Sequence, residues 1–170
     1  MNFRANQNTG WRTCLERFWS RAGLGALPAG DRFSSWVFTV DGIEINLSVT
    51  PDELGLLLRS RISVLRRDDK DYFPTIGKIM RRNLGYMIGD TIAVRIVSEN
   101  TTVENLIAET VFDPARHGDD ELDDVVTNLV DRALAYRRDF GSSAASVKLG
   151  IVNVASNKQD NLEPEMIFRP

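Results

Sequence analysis

A two-residue Asp-Gly loop separates two runs of alternating residues within the segment SSWVFTVDGIEINLSVT, residues 34–50. Such a loop favours a type I′ turn, because its twist matches that of the flanking strands, so Val40 should pair directly with Ile43. This register leaves one face of the hairpin polar and the other apolar. The apolar face carries Trp36, Phe38, Val40, Ile43, Ile45, Leu47 and Val49. Each such side chain gains roughly 1.5–3 kcal/mol on burial, so other elements must cover this face.

Three segments have the apolar spacing of amphipathic helices. The first runs from Thr9 to Gly23 or Gly25 and buries residues spaced at helical intervals from Trp11. The second carries the stripe Phe73, Ile76, Ile79, Met80 and Leu84. The third begins near Asp119, with acids at its start and arginines at its end, as the helix dipole favours. Its stripe comprises Leu122, Val125, Val126, Leu129, Val130, Ala133 and Leu134.

Residues 50–65 allow two interpretations. Thr50, Pro51 and Glu53 have the spacing of a capping box at the start of a helix. Alternatively, a Pro-Asp turn leads into a strand over residues 56–65, whose apolar side would hold Leu56, Leu58, Ile62 and Val64. We favour the strand, because the preceding hairpin alone would be marginal in water.

Two further strands complete the expected sheet, over residues 91–98 and 102–113, with the turn ENTT between them. The order of elements is then α-β-β-β-α-β-β-α. This order predicts an α+β fold with a five-stranded antiparallel sheet and helices packed on it.

Composition sets further limits on the protein. The chain has 170 residues, a net charge of −3, a pI near 5.2 and a single cysteine, Cys14. We expect one domain over residues 11–140, preceded by a flexible segment 1–10 and followed by an extension 141–170. One cysteine excludes an internal disulfide framework, and Cys14 is expected to be buried. No segment is typical of a signal sequence or a membrane span, which predicts a cytoplasmic protein without membrane insertion.

The residues that could carry catalysis do not form a recognisable motif. His117 is the only histidine and lies in a loop beside acids whose spacing differs from that of a calcium-binding loop. Arg59 and Arg61 could form a basic patch, but the acidic total favours a solvated face or ion pairs with the last helix over nucleic acid. We therefore expect no enzyme, no catalytic residues, no metal and no cofactor.

The succession of WVFTVDGIEINLSV, LLLRSRISVL and FPTIGKIMRRNLG, followed by a hairpin and an acidic closing helix, resembles the class I chaperones of type III secretion, the Tir-chaperone-like family. The resemblance covers residues 11–140 and rests on element order, size and acidic pI. It implies a cytoplasmic homodimer that binds an extended segment near the amino terminus of a secreted effector and keeps it export-competent.

The resemblance also implies two sets of contact residues. The middle helix and the following strand would make the dimer contact, through Ile76, Ile79, Met80, Tyr86, Met87, Ile92 and Val94. The effector would lie over apolar patches that include Trp11, Leu15, Phe18, Trp36 and Phe38. Aromatic residues in such stripes more often belong to a core, so that interpretation stays open as well.

Residues 141–170 extend further than is usual in that family. Residues 146–155, SVKLGIVNVA, alternate well enough to add one strand to the sheet, in cis or across a dimer. A flexible tail is the alternative. For the whole chain, the alternatives to a chaperone are a protein-binding adaptor or regulatory domain unrelated to secretion, and a small enzyme that uses Arg59 and Arg61.

Overall fold

The computed structural model describes residues 10–29, 34–86, 91–118 and 121–141. Within these ranges the elements follow the predicted order. They are α1 (Gly10–Arg21), β1 (Ser35–Val40), β2 (Ile43–Val49), β3 (Leu56–Arg66), α2 (Tyr72–Tyr86), β4 (Ala93–Ser98), β5 (Val103–Phe112) and α3 (Leu122–Phe140). The α+β fold class is confirmed.

The five strands form one antiparallel sheet in the order β1-β2-β3-β5-β4. The hairpin has the predicted register, with Val40 opposite Ile43. Asp41 and Gly42 have φ values of 50° and 75°. Positive φ at both loop residues is the mark of a type I′ turn, so the turn that the Asp-Gly pair predicts is present.

The strand interpretation of residues 56–65 is confirmed, and the helical one is wrong. Thr50 closes the turn that precedes β3, because its Oγ1 accepts a hydrogen bond from the Gly55 amide at 2.9 Å. The Gly55 position is crowded, since a Cβ there would lie 2.4 Å from the carbonyl oxygen of Phe112. Only glycine allows β3 and β5 to approach this closely at their ends.

The predicted alternation of β3 is wrong at its second half. The pairing of β3 with β5 shifts in register between Arg61 and Ser63, as at a β-bulge. An extra residue in one strand inverts the faces of the residues that follow it. Ser63 is therefore buried, whereas Val64 is 40% exposed on the opposite face.

The core lies between one face of the sheet and helices α1 and α3. Its buried side chains include the alternate residues of β2, β3 and β5 together with the apolar stripe of α3. Helix α1 contributes an aromatic contact with β1, since Phe18 and Trp19 lie 5.3 and 5.6 Å from Phe38, measured between ring centroids. Cys14 is fully buried, as predicted.

Helix α3 begins at Leu122 and has Asp123 and Asp124 in its first turn and Arg137 and Arg138 in its last; Asp119, where it was predicted to begin, lies outside the described residues. Most of its predicted stripe is buried, but Leu134 is 38% exposed. Leu134 lies at the edge of the stripe, next to the buried Ala133.

Candidate protein-binding surfaces

The five residues predicted to contact a client, Trp11, Leu15, Phe18, Trp36 and Phe38, do lie together, where α1 packs on β1. The ring centroids of Trp11 and Trp36 are 6.2 Å apart. All five are buried in the core, with Trp11 the most accessible at 7%. The indole N–H of Trp11 is buried without a hydrogen-bond partner, whereas that of Trp36 donates to the Pro28 carbonyl at 3.3 Å.

The backbone of β1 borders this aromatic cluster and forms one edge of the sheet. Among the described residues, β1 pairs only with β2. The residues that flank a two-residue hairpin loop exchange hydrogen bonds with each other, and pairing alternates from there. Val40, Phe38 and Trp36 therefore use their backbone groups toward β2, and those of Thr39 and Val37 point to the open edge.

Strand β4 forms the other edge, and α2 protects it. The Asn83 amide nitrogen donates to the Val94 carbonyl of β4 at 2.8 Å. The Asn83 oxygen accepts a hydrogen bond from the Tyr136 hydroxyl at 2.6 Å, so one side chain joins α2, β4 and α3. Arg82 pairs with Asp139 of α3 and lies over the Tyr136 ring, 4.7 Å from its centroid. These contacts fix the carboxyl-terminal half of α2 in place.

A buried carboxylate fixes the other end of α2. Glu104 accepts hydrogen bonds from the Tyr72 hydroxyl at 2.5 Å, from Arg67 Nε at 2.9 Å and from the Ser98 hydroxyl at 3.1 Å. The bonds from Tyr72 and Arg67 lower the pKa of the Glu104 carboxyl below its ordinary value near 4.5. The same bond to Glu104 raises the pKa of the Tyr72 hydroxyl. The first residue of α2 is thereby tied to β5.

Held at both ends, α2 presents an apolar stripe to solvent. Phe73, Met80 and Leu84 are 79%, 62% and 66% exposed. They lie at positions i, i+7 and i+11, which is one face of a helix. Large apolar side chains grouped on one exposed face mark an interaction surface. We call these three residues the α2 stripe.

The predicted dimer residues fall into separate environments. Met80 is exposed in the α2 stripe, Ile79 is buried, and three others pack in part against the core: Ile76, Ile92 and Val94. Tyr86 ends α2, and Met87 lies outside the described residues. Sequence reasoning left out Phe73 and Leu84 as contacts, although both were part of the predicted helical stripe. At about 100° per residue, Phe73 and Leu84 lie roughly 120–140° around the helix from the buried Ile79 and roughly 60–80° from the half-buried Ile76, and this difference in angle is the signal that separates the two faces of α2.

The arginine patch is explained by ion pairs on the outer face of the sheet. Arg59 Nε lies 3.1 Å and Arg95 Nη2 2.6 Å from the same Glu109 carboxylate oxygen. Of the two alternatives to nucleic acid, an ion pair with the last helix does not describe Arg59, because its partner Glu109 is directly opposite it on β5. A patch with an internal counter-ion is a poor match for nucleic acid.

An open pocket of about 550 Å³ lies on the same outer face, lined in part by Leu57, Val111 and His117. His117, in the loop that follows β5, is half-buried. Its ring stacks on Phe112 with centroids 5.3 Å apart, and its Nδ1 is 2.9 Å from the Asp113 carbonyl oxygen. In the described ranges, no group of three or more His, Cys, Asp or Glu side chains could hold a metal ion. The same ranges contain no helix both long and apolar enough to span a bilayer.

Comparison with known proteins finds likeness at the level of structure. No protein-family model and no curated protein matches the sequence. A chain in the structure of the HopA1–SchA chaperone–effector complex superposes with a TM-score of 0.57 at 14% identity, covering 77% of this chain and 95% of that one. A chain in the ExsC–ExsE complex superposes with a TM-score of 0.55 at 16% identity, covering 85% of this chain and 100% of that one. These likenesses show a shared fold.

Proposed function

We propose that the protein is a secretion chaperone of the type III kind, which binds an extended amino-terminal segment of an effector in the cytoplasm and keeps it export-competent. The observation that carries this proposal is the fold, which is similar over nearly the whole of each matched chain to structures of chaperone–effector complexes. The sequence resemblance to the Tir-chaperone-like family, drawn from other features, supports the same function.

The open edge of β1 is the client site that we propose. An extended peptide can add there as a strand, using the outward backbone groups of Val37 and Thr39 for hydrogen bonds. The aromatic cluster of α1 and β1 stands behind this edge as an apolar wall. Its five predicted residues are buried in the free chain, so the backbone edge makes the primary contact and the cluster receives side chains at its rim. Binding of this kind requires no reactive group.

The client site can be tested by mixing the full-length protein with candidate secreted proteins encoded beside its gene, followed by size-exclusion chromatography. Thr39→Pro removes one outward N–H from the edge and leaves the pairing with β2 intact, because proline is tolerated at edge positions. We expect this variant to lose co-elution with a client that the wild type retains. Thr39→Val keeps the N–H and serves as the matched control.

Binding of clients by both Thr39 variants alike would exclude the β1 edge as the site. Binding only to compact, folded partners would favour an adaptor over a chaperone. Circular dichroism of each variant checks that the fold is retained.

We propose further that two copies associate through the α2 stripe, with the neighbouring predicted residues Ile76, Ile92 and Val94 at its margin. A two-fold interface buries the same patch twice, so Phe73, Met80 and Leu84 would each be covered on both protomers. Burying the exposed two thirds of a leucine contributes about 1–2 kcal/mol per protomer, or about 2–4 kcal/mol per dimer. Such a loss raises the dissociation constant by about 30- to 1,000-fold.

Leu84→Asp should therefore convert a dimer to a monomer in sedimentation velocity at micromolar concentration. Leu54 is the matched control, because it is 52% exposed in the turn between β2 and β3 and lies outside α2. Leu54→Asp should leave the sedimentation coefficient unchanged. A wild-type protein that sediments as a monomer, or a Leu84→Asp variant that still dimerises, would refute this interface.

A further inference from the structure

We propose that residues 146–155 pair in cis with the open edge of β1 as a sixth strand, and so compete with a client for that edge. The competition with a client rests on the proposed function. The addition of the strand does not depend on any client. Residues 142–170 lie outside the described residues. The argument uses the point where α3 ends, the state of the two sheet edges and the sequence pattern.

Helix α3 ends beside the turn that joins β1 to β2. The Arg137 guanidinium donates to the Gly42 carbonyl at 3.1 Å and to the Arg61 carbonyl at 3.3 Å. The Gly141 amide then closes the helix on the Arg137 carbonyl at 2.7 Å. The chain that follows Gly141 therefore starts close to the end of β1 that the Asp-Gly turn occupies.

The position of Gly141 determines how far the following residues can reach and in which direction they run along β1. Four residues, 142–145, span up to about 13 Å when extended, enough to pass from the end of α3 to the neighbouring strand edge. A segment that enters at the turn and continues along β1 runs opposite to it, which gives an antiparallel pair. The six residues of β1 extend about 20 Å, so the ten residues of 146–155 are long enough to pair along its whole length.

The second edge of the sheet is a poorer site for this segment. Strand β4 lies four strand spacings from β1, about 19 Å across the sheet. Asn83 of α2 already occupies the Val94 carbonyl on β4. Of the two edges, β1 is the one on which the described residues place no side-chain hydrogen bond from a helix.

The side-chain pattern of the segment fits the edge of β1. Val147, Leu149 and Ile151 alternate with Ser146, Lys148 and Gly150. In a strand, the three apolar side chains would extend the face of the sheet that carries Trp36, Phe38 and α1. Lys148 would then lie on the outer face, where the adjacent hairpin exposes Glu44. Over residues 146–151, both faces of the added strand thus match those of the existing sheet.

Occupation of the edge by the chain's own segment would regulate binding. A client that needs the same backbone groups binds with an affinity reduced by the fraction of time the edge is open. A client segment that pairs better than residues 146–155 displaces them, and weaker peptides are excluded. Residues 146–155 would in this way select among extended client chains without any catalytic step.

Residue-resolved amide exchange of the full chain, followed by NMR, tests the strand addition with no client present. In the wild type, we expect the amides of Val37 and Thr39, and the alternate amides of residues 147–152 that face β1, to exchange at least about tenfold more slowly than in Leu149→Pro. Proline at 149 removes a ladder hydrogen bond and prevents continuous pairing. Ile167→Pro, in the same tail but outside the segment, should leave all of these rates unchanged.

Two further measurements separate the possible partners of the edge. A synthetic peptide of residues 144–157, added to Leu149→Pro, should restore slow exchange at Val37 and Thr39. Protection in the wild type should not change on dilution, because the pairing is within one chain. Rapid exchange of residues 147–152 in the wild type, unchanged rates at Thr39 in Leu149→Pro, or protection lost on dilution would each overturn the proposal. A protected segment with no client binding would refute the chaperone function alone.

Discussion

Replacing Glu104 by Gln should destabilise the fold more than any other single change of a carboxylate described here. Glu104 is buried, and it accepts hydrogen bonds from Arg67, Tyr72 and Ser98. Gln retains the shape of Glu but carries no charge. Its side-chain NH₂ group would also point N–H bonds at the donors that bind the carboxylate. Only the carboxylate is buried, since the Arg67 side chain is 47% exposed, so we take the loss of charge-assisted hydrogen bonds to Glu104 to cost about 2–4 kcal/mol. At roughly 2–4 °C per kcal/mol for a chain of this size, the melting temperature should fall by about 4–16 °C at pH 7.

The pH dependence of this loss follows from the direction of the pKa shift. The Tyr72 and Arg67 bonds lower the folded-state pKa of Glu104 below 4.5. Its contribution is therefore fully present above the unfolded-state pKa and is lost as pH falls through the folded-state value. The difference in unfolding free energy between wild type and Glu104→Gln should be constant from pH 6 to 8 and should shrink steadily below about pH 4.5.

Urea unfolding followed by circular dichroism, at a series of pH values, measures this difference. The matched control is Glu109→Gln, which changes the same residue type on the same strand but on the outer face, where the side chain is 16% exposed against 6% for Glu104. An exposed pair contributes up to about 1 kcal/mol, so the control should stay within that range. Equal losses for the two variants, or a Glu104→Gln loss that persists unchanged at pH 3, would refute the assignment of Glu104 as a buried ionised anchor.

Three further changes test other parts of the fold. Gly55→Ala should lower the unfolding free energy by more than about 2 kcal/mol in urea titration, because the new Cβ would meet the Phe112 carbonyl; a neutral result would contradict the close approach. Val64→Asp should change the unfolding free energy by no more than about 1 kcal/mol, whereas Ile62→Asp should unfold the protein, because the bulge places the two side chains on opposite faces of the sheet. Equal effects of the two variants would contradict the bulge. Asn83→Ala should cost about 1–3 kcal/mol by removing its hydrogen bonds with the Val94 carbonyl and the Tyr136 hydroxyl, and calorimetry that shows no change in melting temperature would argue against its bridging role.

The hairpin and the element order were accessible to sequence reasoning because they depend on local rules. The Asp-Gly pair determines its own turn, and that turn sets the register of every residue from Trp36 to Val49. The spacing of apolar residues likewise determined the helical elements and the burial of Cys14. The structure of residues 50–65 was harder to predict, because the same residues have both the spacing of a helix-starting capping box and the sequence of a Pro-Asp turn.

The candidate surfaces depended on longer-range contacts that a linear pattern does not contain. The α2 stripe could be listed as apolar from the sequence, but which of its residues face the core depends on the anchors at Glu104 and Asn83. The burial of the five predicted client residues depends on how closely α1 packs on β1. The identity of the open edge depends on the strand order.

Periodicity alone therefore determined which segments are helices and strands, and which residues share a face while that periodicity is unbroken. The tertiary structure decided the inversion at Val64, the counter-ion of Arg59 and the strand left open at the edge of the sheet. The physical reason is the range of the interactions. Turn geometry and side-chain alternation act over a few residues, whereas a bulge, an ion pair across strands and a sheet edge exist only once distant segments have met.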